Sequence, residues 1–379
     1  LDHWVEQAKK LTNLEICQLG ISVALAMHSL HQQNAVHLDL KPANIIIKEN
    51  GSAVLLDFGL SYHAHYPDLL AEQLRKAVGS PAWIAPEQVV GVRGDPRSDI
   101  FALGVMLYQL LTAELPFGEP ATTGGLRQRL WMDPKPVRQL NPEVPEWLQE
   151  IVMRCLESEA AKRYPSAAHL AFDLRHPEQV KVTARGKKIK GTGFKTHFKR
   201  WIKAAGMQYQ PSPLATEQIE SVPIVMVAVP HQDVTDATLY SLRQAVERSL
   251  GTRPGAQLAC VTVISGSSAS SNASSETTLQ RQHLNNLKQW AQGLDLNDHQ
   301  VSYHVLESSD VAHALIEYAK GNHVSVLVMG AATHGLQTQR WLATIPIKVA
   351  MDAPCTVILV KQALPFDKLF ELADDNRPS

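Results

Sequence analysis

Three short stretches hold the residues whose types and spacing could do chemistry. The first is His37-Leu38-Asp39-Leu40-Lys41-Pro42-Ala43-Asn44, the second Asp57-Phe58-Gly59 and the third Ala85-Pro86-Glu87. A positioned carboxylate can orient and deprotonate a hydroxyl. An amide oxygen and a second carboxylate can hold Mg²⁺, which takes hard oxygen ligands. Phosphoryl transfer from a triphosphate needs such groups, and Asp39, Asn44 five residues on, and Asp57 supply them. Any one stretch alone reads more simply as a charged loop or a turn. Their joint occurrence in this order points to one site.

Helices and one hairpin must place these groups. Between Leu14 and Gln33, apolar residues recur at Ile16, Leu19, Val23, Met27 and Leu30, one face of a helix. Ile100–Leu111 is apolar almost all round, which predicts a helix buried inside a domain. Val144, Trp147, Leu148, Ile151, Val152 and Cys155 form a third stripe. Asn44–Lys48 and Ala53–Leu56 read as short strands joined through Asn50-Gly51, a turn-forming pair. The first 176 residues are thus mainly α with a small hairpin.

The three motifs together resemble the protein kinase catalytic domain, and Asp-Leu-Lys-Pro at 39–42 looks like its serine/threonine class. The resemblance implies a transfer of the ATP γ-phosphate to Ser or Thr hydroxyls of a protein substrate, with ATP and Mg²⁺ as cofactors. It implies that Asp39 is the base, that Lys41 steadies the γ-phosphate and that Asn44 and Asp57 hold Mg²⁺. Ile46 and Leu56 would floor the adenine, and residues 79–84 would dock the substrate, with Ser80 where Thr is usual. Asp99 would accept backbone N–H bonds from the catalytic loop. Glu87 and Arg163 would form a buried ion pair, and His37 would be a packed structural histidine. Leu38 stands where the family usually has an arginine that reads a loop phosphate, so switching by loop phosphorylation is not expected. The likeness covers the C-terminal lobe only. With 36 residues ahead of His37, the Gly-rich loop and the strand lysine have no place. The expectation is a kinase fragment without its N-terminal lobe, inactive by itself. A pseudokinase scaffold, or a stress-sensing binding protein without phosphotransfer, is the competing reading.

Residues 177–220 differ in composition. From Lys181 to Lys203 there are nine Lys/Arg and no Asp or Glu. This stretch reads as a basic linker with a short helix around Phe194–Ala205. A mobile connector, a patch for acidic lipid or nucleic acid, and docking onto an acidic face of its own domains all remain open.

Residues 221–361 alternate strand and helix. Strands are expected at Ile224–Val229, Leu258–Ile264, Val301–Leu306, Val324–Met329 and Cys355–Lys361, with a Ser-rich loop at Ser265–Ser275. Continuously apolar strands separated by helices predict a parallel sheet covered on both faces. The order, and the stretch from Val326 to Val360, resemble the universal stress protein family, with its Rossmann-like α/β fold. Nucleotide-binding members of that family carry Asp at the end of the first strand and glycines after the fourth. Here those positions hold Pro230, Thr333 and Ala343, and only Gly330 and Thr344 match. A sensor or dimerisation module therefore fits better than an ATP site, and a homodimer through this domain is one expected assembly. Residues 362–379 read as a polar tail. The fold class is multi-domain, a mainly α kinase-like lobe plus a Rossmann-like parallel-sheet domain.

Composition sets the outer bounds. Lys plus Arg total 36 against 37 Asp plus Glu, a net charge of −1, which argues against a global nucleic-acid binder. No apolar run approaches the roughly 18 residues of a membrane span. Cys17, Cys155, Cys260 and Cys355 lie far apart, without metal-site spacing, and read as reduced core residues. The pairing of the two resembled families looks bacterial and implies a cytoplasmic setting, with which these features are consistent.

Overall fold

The computed structural model describes residues 11–65, 68, 79–191, 222–231, 235–250, 255–264, 273–296, 299–331 and 344–361. The chain divides into two units, 1–220 and 221–379.

In the first unit, α1 (Asn13–His31) starts at a capping box. The Thr12 hydroxyl accepts from the Glu15 amide, and the Glu15 carboxylate accepts from Thr12 N–H. After α1 come β1 (Ala35–Val36), β2 (Ile45–Ile47), β3 (Ala53–Leu55) and β4 (Tyr62–His63). β2 and β3 pair antiparallel, Ile46 opposite Val54, and β1 pairs antiparallel with β4. Asn44 belongs to a 3₁₀ turn, Pro42–Asn44, and not to the strand expected to begin there. Proline opens that turn because it has no N–H to leave unpaired.

The rest of the unit is helical: α2 (Pro86–Val89), α3 (Arg97–Thr112), α4 (Thr123–Arg127), α5 (Val137–Leu140), α6 (Glu146–Cys155), α7 (Ala167–Arg175) and α8 (Ala184–Lys187). α3 is buried along nearly its whole length, as its unbroken apolar sequence requires, and packs between α1 and α6. Gly104 makes this possible. A Cβ there would lie 2.5 Å from Cys155 Cβ, so only glycine lets α3 and α6 approach.

Residues 183–188, which composition assigns to the linker, lie against α6. Gln149 Nε2 donates to the carbonyls of Arg185, Gly186 and Lys188. The buried Glu150 carboxylate accepts from Thr183 N–H, the Thr183 hydroxyl, Gly186 N–H and Arg185. The start of the basic run is thus a docked strap, because α6 supplies both a carboxylate and an amide for it. The expected helix at Phe194–Ala205 and the remainder of the linker lie outside the described residues.

In the second unit, β5 (Ile224–Ala228), α9 (Asp236–Leu250), β6 (Gln257–Ile264), α10 (Ala273–Ala291), β7 (Gln300–Glu307), α11 (Val311–Gly321), β8 (Val326–Gly330), α12 (Thr344–Asp352) and β9 (Thr356–Val360) alternate. The sheet order is β7-β6-β5-β8-β9 and every pairing is parallel. β6 is buried throughout, whereas β7 and β9, at the edges, are only partly covered. Helix α10 takes in Ser274 and Ser275, so the Ser-rich stretch is helical at its end, and residues 265–272 lie outside the described residues. Thr333, Ala343 and the 362–379 tail also lie outside them. Cys17, Cys155 and Cys260 are buried and Cys355 is half-buried just ahead of the edge strand; all four are free thiols.

Candidate active site

The loop between β1 and β2 is assembled from below by one carboxylate. Asp99, at the start of α3, is fully buried and accepts His37 N–H at 2.9 Å, Leu38 N–H at 2.9 Å and His31 Nε2 at 2.9 Å. Burial alone would push this acid up, but the bonds and charge from His31 and His37 outweigh it and hold it low. Leu38 sits in the left-handed region at φ +65°, unusual for a branched side chain, and is buried. Gln88 Nε2 holds its carbonyl at 2.8 Å. His37 is buried, its Nε2 2.9 Å from the Leu56 carbonyl.

This bracing presents Asp39. Its Oδ1 accepts Ser80 N–H at 2.9 Å and the Ser80 hydroxyl at 2.8 Å. Its Oδ2 accepts Lys41 Nζ at 3.0 Å and Asn44 Nδ2 at 3.2 Å. Burial raises the Asp39 pKa, but the bonds from Lys41 and Ser80 together hold it below the ordinary carboxylate range. Lys41 Nζ also donates to Ser80 Oγ at 3.0 Å. A carboxylate, a cation and a hydroxyl therefore meet at one point.

Asn44 gives its amide nitrogen to Asp39, so its amide oxygen is the side-chain atom that it could offer a cation. Leu56 N–H donates to the Asn44 carbonyl at 2.8 Å, which ties the end of β3 to the loop ahead of β2. Asp57 follows, exposed, at φ +60°, with Oδ1 accepting Gly59 N–H at 3.2 Å. An amide oxygen and an exposed carboxylate are the hard donors that Mg²⁺ takes, so the residues present fit that ion. Ile46 is half-exposed, at 50%, and Leu56 is partly buried, an apolar surface on the same hairpin.

Residues 1–173 match the family model described as the protein kinase domain, and residues 224–361 match that of the universal stress protein family. The chain carries a protein kinase domain. A universal stress protein domain follows it. The kinase domain is 37% identical over 168 residues to the serine/threonine-protein kinase Pkn1 of Myxococcus xanthus, covering 42% of this chain and 24% of that protein. It is 32% identical over 149 residues to the serine/threonine-protein kinase PknB of Mycolicibacterium smegmatis, covering 39% and 24%. A probable serine/threonine-protein kinase PknB of Lactococcus lactis is 30% identical over 175 residues, covering 46% and 27%. The chain spans about a quarter of the length of these curated relatives.

The kinase domain thus gathers Asp39, Lys41, Asn44 and Ser80 into one network and sets Asp57, Ile46 and Leu56 on the adjoining hairpin. Glu87 and Arg163 form the expected pair, at 2.7 and 2.8 Å, both buried. Sequence reasoning missed Arg93, whose Nε donates to Asp68 at 2.7 Å and Nη2 to the Leu60 carbonyl at 2.8 Å, bracing the segment after Gly59. It also missed Gln88 and Arg129. Arg129 carries no local signal, since it acts on backbone carbonyls distant in sequence. Gln88 stands at the third position of α2, where its Oε1 accepts Ala85 N–H, a local signal that could have found it. In the stress protein domain, a Cβ at Gly330 would meet nothing nearer than Thr238 at 3.8 Å, so glycine is not sterically required there. No helix among the described residues is long and apolar enough to cross a membrane.

Proposed function

We propose that the kinase domain transfers the γ-phosphate of ATP to Ser or Thr hydroxyls of protein substrates, with the stress protein domain as its regulator. The observation that carries this is the Asp39 carboxylate held between Lys41, Asn44 and Ser80. Asp39 orients the substrate hydroxyl and takes its proton. All of its principal acceptor positions are filled by its own chain, so a donor must leave for a substrate hydroxyl to bind. Lys41 is that donor: drawn to the γ-phosphate, it releases Oδ2. Asn44 and Asp57 would hold Mg²⁺, which when bound would supply positive charge to the phosphates. Ile46 and Leu56 would form the apolar floor for the adenine.

The test is phosphate transfer from radiolabelled ATP to an acceptor protein by the full-length gene product. Asp39→Asn should cut kcat by about a hundredfold or more, the usual share of a positioned base. Undiminished transfer by that variant would remove Asp39 from the role assigned to it. Self-association through the stress protein domain is a second reading, favoured by Ile347, Met351 and the edge-strand residue Leu359, all exposed. Sedimentation of the full chain as a monomer at micromolar concentration would exclude it.

A further inference from the structure

The substrate-docking loop is braced by a cation that its own sequence does not reveal. Arg129 is 1% exposed, among the least accessible of the large side chains. Its Nη2 donates to the Pro81 carbonyl at 2.9 Å, its Nη1 donates to the Ile84 carbonyl, and its guanidinium lies 5.5 Å from the Phe117 ring centroid. Among the described residues no carboxylate pairs with it. A buried cation met only by dipoles is expensive, and a rigid planar fork holds two carbonyls at a smaller entropic cost than a flexible ammonium. Burial pushes Arg129 down to about 10, so it stays protonated at neutral pH.

The two carbonyls belong to a turn that ends on the catalytic base. Trp83 and Ile84 N–H donate to the Ser80 carbonyl at 3.0 and 3.2 Å. Ser80 in turn gives both its N–H and its hydroxyl to Asp39 Oδ1. Arg129, the Pro81 and Ile84 carbonyls, the Ser80 turn and Asp39 are therefore linked by hydrogen bonds or by a single stretch of backbone. We propose that Arg129 is a positioning residue for the protein substrate, holding residues 79–85 at a fixed height beside Asp39. The inference rests on the kinase reading above and adds a residue that touches neither ATP nor the reacting atoms.

Hydrogen exchange of the full chain tests the brace without relying on activity. It is measured in wild type, Arg129→Lys and Arg129→Met, on peptides covering 79–87 and 100–111. Exchange across 79–87 should quicken about tenfold to a hundredfold, the effect of losing a hydrogen bond to a charged group, while 100–111 is unchanged. Unchanged exchange across 79–87 in Arg129→Met would overturn the proposal. Equal acceleration of 100–111 would overturn it too, making Arg129 a general fold residue.

Kinetics of the full-length gene product give the second readout. KM for an acceptor peptide should rise about tenfold or more, KM for ATP should hold, and Arg129→Lys should fall between wild type and Arg129→Met, because an ammonium keeps the charge but lacks the rigid fork. A loss confined to kcat, with peptide KM unchanged, would overturn positioning of the substrate. A wild-type protein that transfers no phosphate would instead refute the proposed function and leave the exchange data to judge the brace.

Discussion

Glu87→Gln leaves a guanidinium buried without its counter-charge. Arg163 has no exposed side-chain surface, and Glu87 binds it through two bonds of 2.7 and 2.8 Å. Removing one partner of such a pair costs about 3–5 kcal/mol. The lower end applies here, because Arg163 keeps the Arg97 carbonyl at 2.9 Å, the Glu157 carbonyl at 2.8 Å and the Phe101 ring at 4.9 Å. Ser98 also loses a carboxylate acceptor at 2.7 Å. Unfolding of a two-unit chain does not yield one free energy, so the readout must be local. Exchange of the most protected α3 amides serves, and a loss of about 3 kcal/mol should quicken it by roughly a hundredfold. The β6 amides of the stress protein domain should be unaffected. Glu87→Met with Arg163→Met should restore part of the loss, since neither charge is then buried unpaired, and the double-mutant cycle should show positive coupling. An α3 effect below about 1 kcal/mol in the single variant, or strict additivity in the cycle, would refute the reasoning.

Three further outcomes follow. Gly104→Ala should destabilise the kinase domain by about 1–3 kcal/mol through overpacking against Cys155, read as a lower melting temperature of that domain by calorimetry. Asp173 should make that domain less stable as pH rises. Burial lifts its pKa to about 6 from 3.8, and the Tyr164 hydroxyl and Arg154 only partly oppose this, so the folded state holds the proton longer than the unfolded state. Stability is thus fullest below the unfolded value and falls by about 3 kcal/mol as pH rises through 6, and Asp173→Asn should abolish that slope in pH-dependent melting. Glu150→Gln should loosen the strap, because four donors lose their carboxylate, and exchange across 183–188 should quicken about tenfold or more.

Legibility divides along the range of the interactions. The catalytic loop, the hairpin and the parallel strands could be read because their signals are local: motif residues at fixed spacing, a turn pair, unbroken apolar runs. Asp99 and the Glu87–Arg163 pair could be named only because their surroundings resemble a family. The docked strap could not be read from composition. Lys181 to Lys190 look like solvated linker until Gln149 and Glu150, more than thirty residues earlier, are brought beneath them. The turn at Pro42–Asn44 replaced an expected strand start because Asn44 spends its side chain on Asp39.

Sequence by itself determined which groups are available for chemistry and in what order they come: Asp39, Lys41, Asn44, Asp57, and two modules of different composition. Tertiary structure alone decided what state those groups are in. Asp39 is an ordinary aspartate in the sequence. Its lowered pKa, its saturation by Lys41, Asn44 and Ser80, and the bracing of Ser80 through a turn that Arg129 holds depend on residues up to ninety positions apart. Electrostatics and hydrogen bonding act over a few ångströms of space, whatever the separation along the chain.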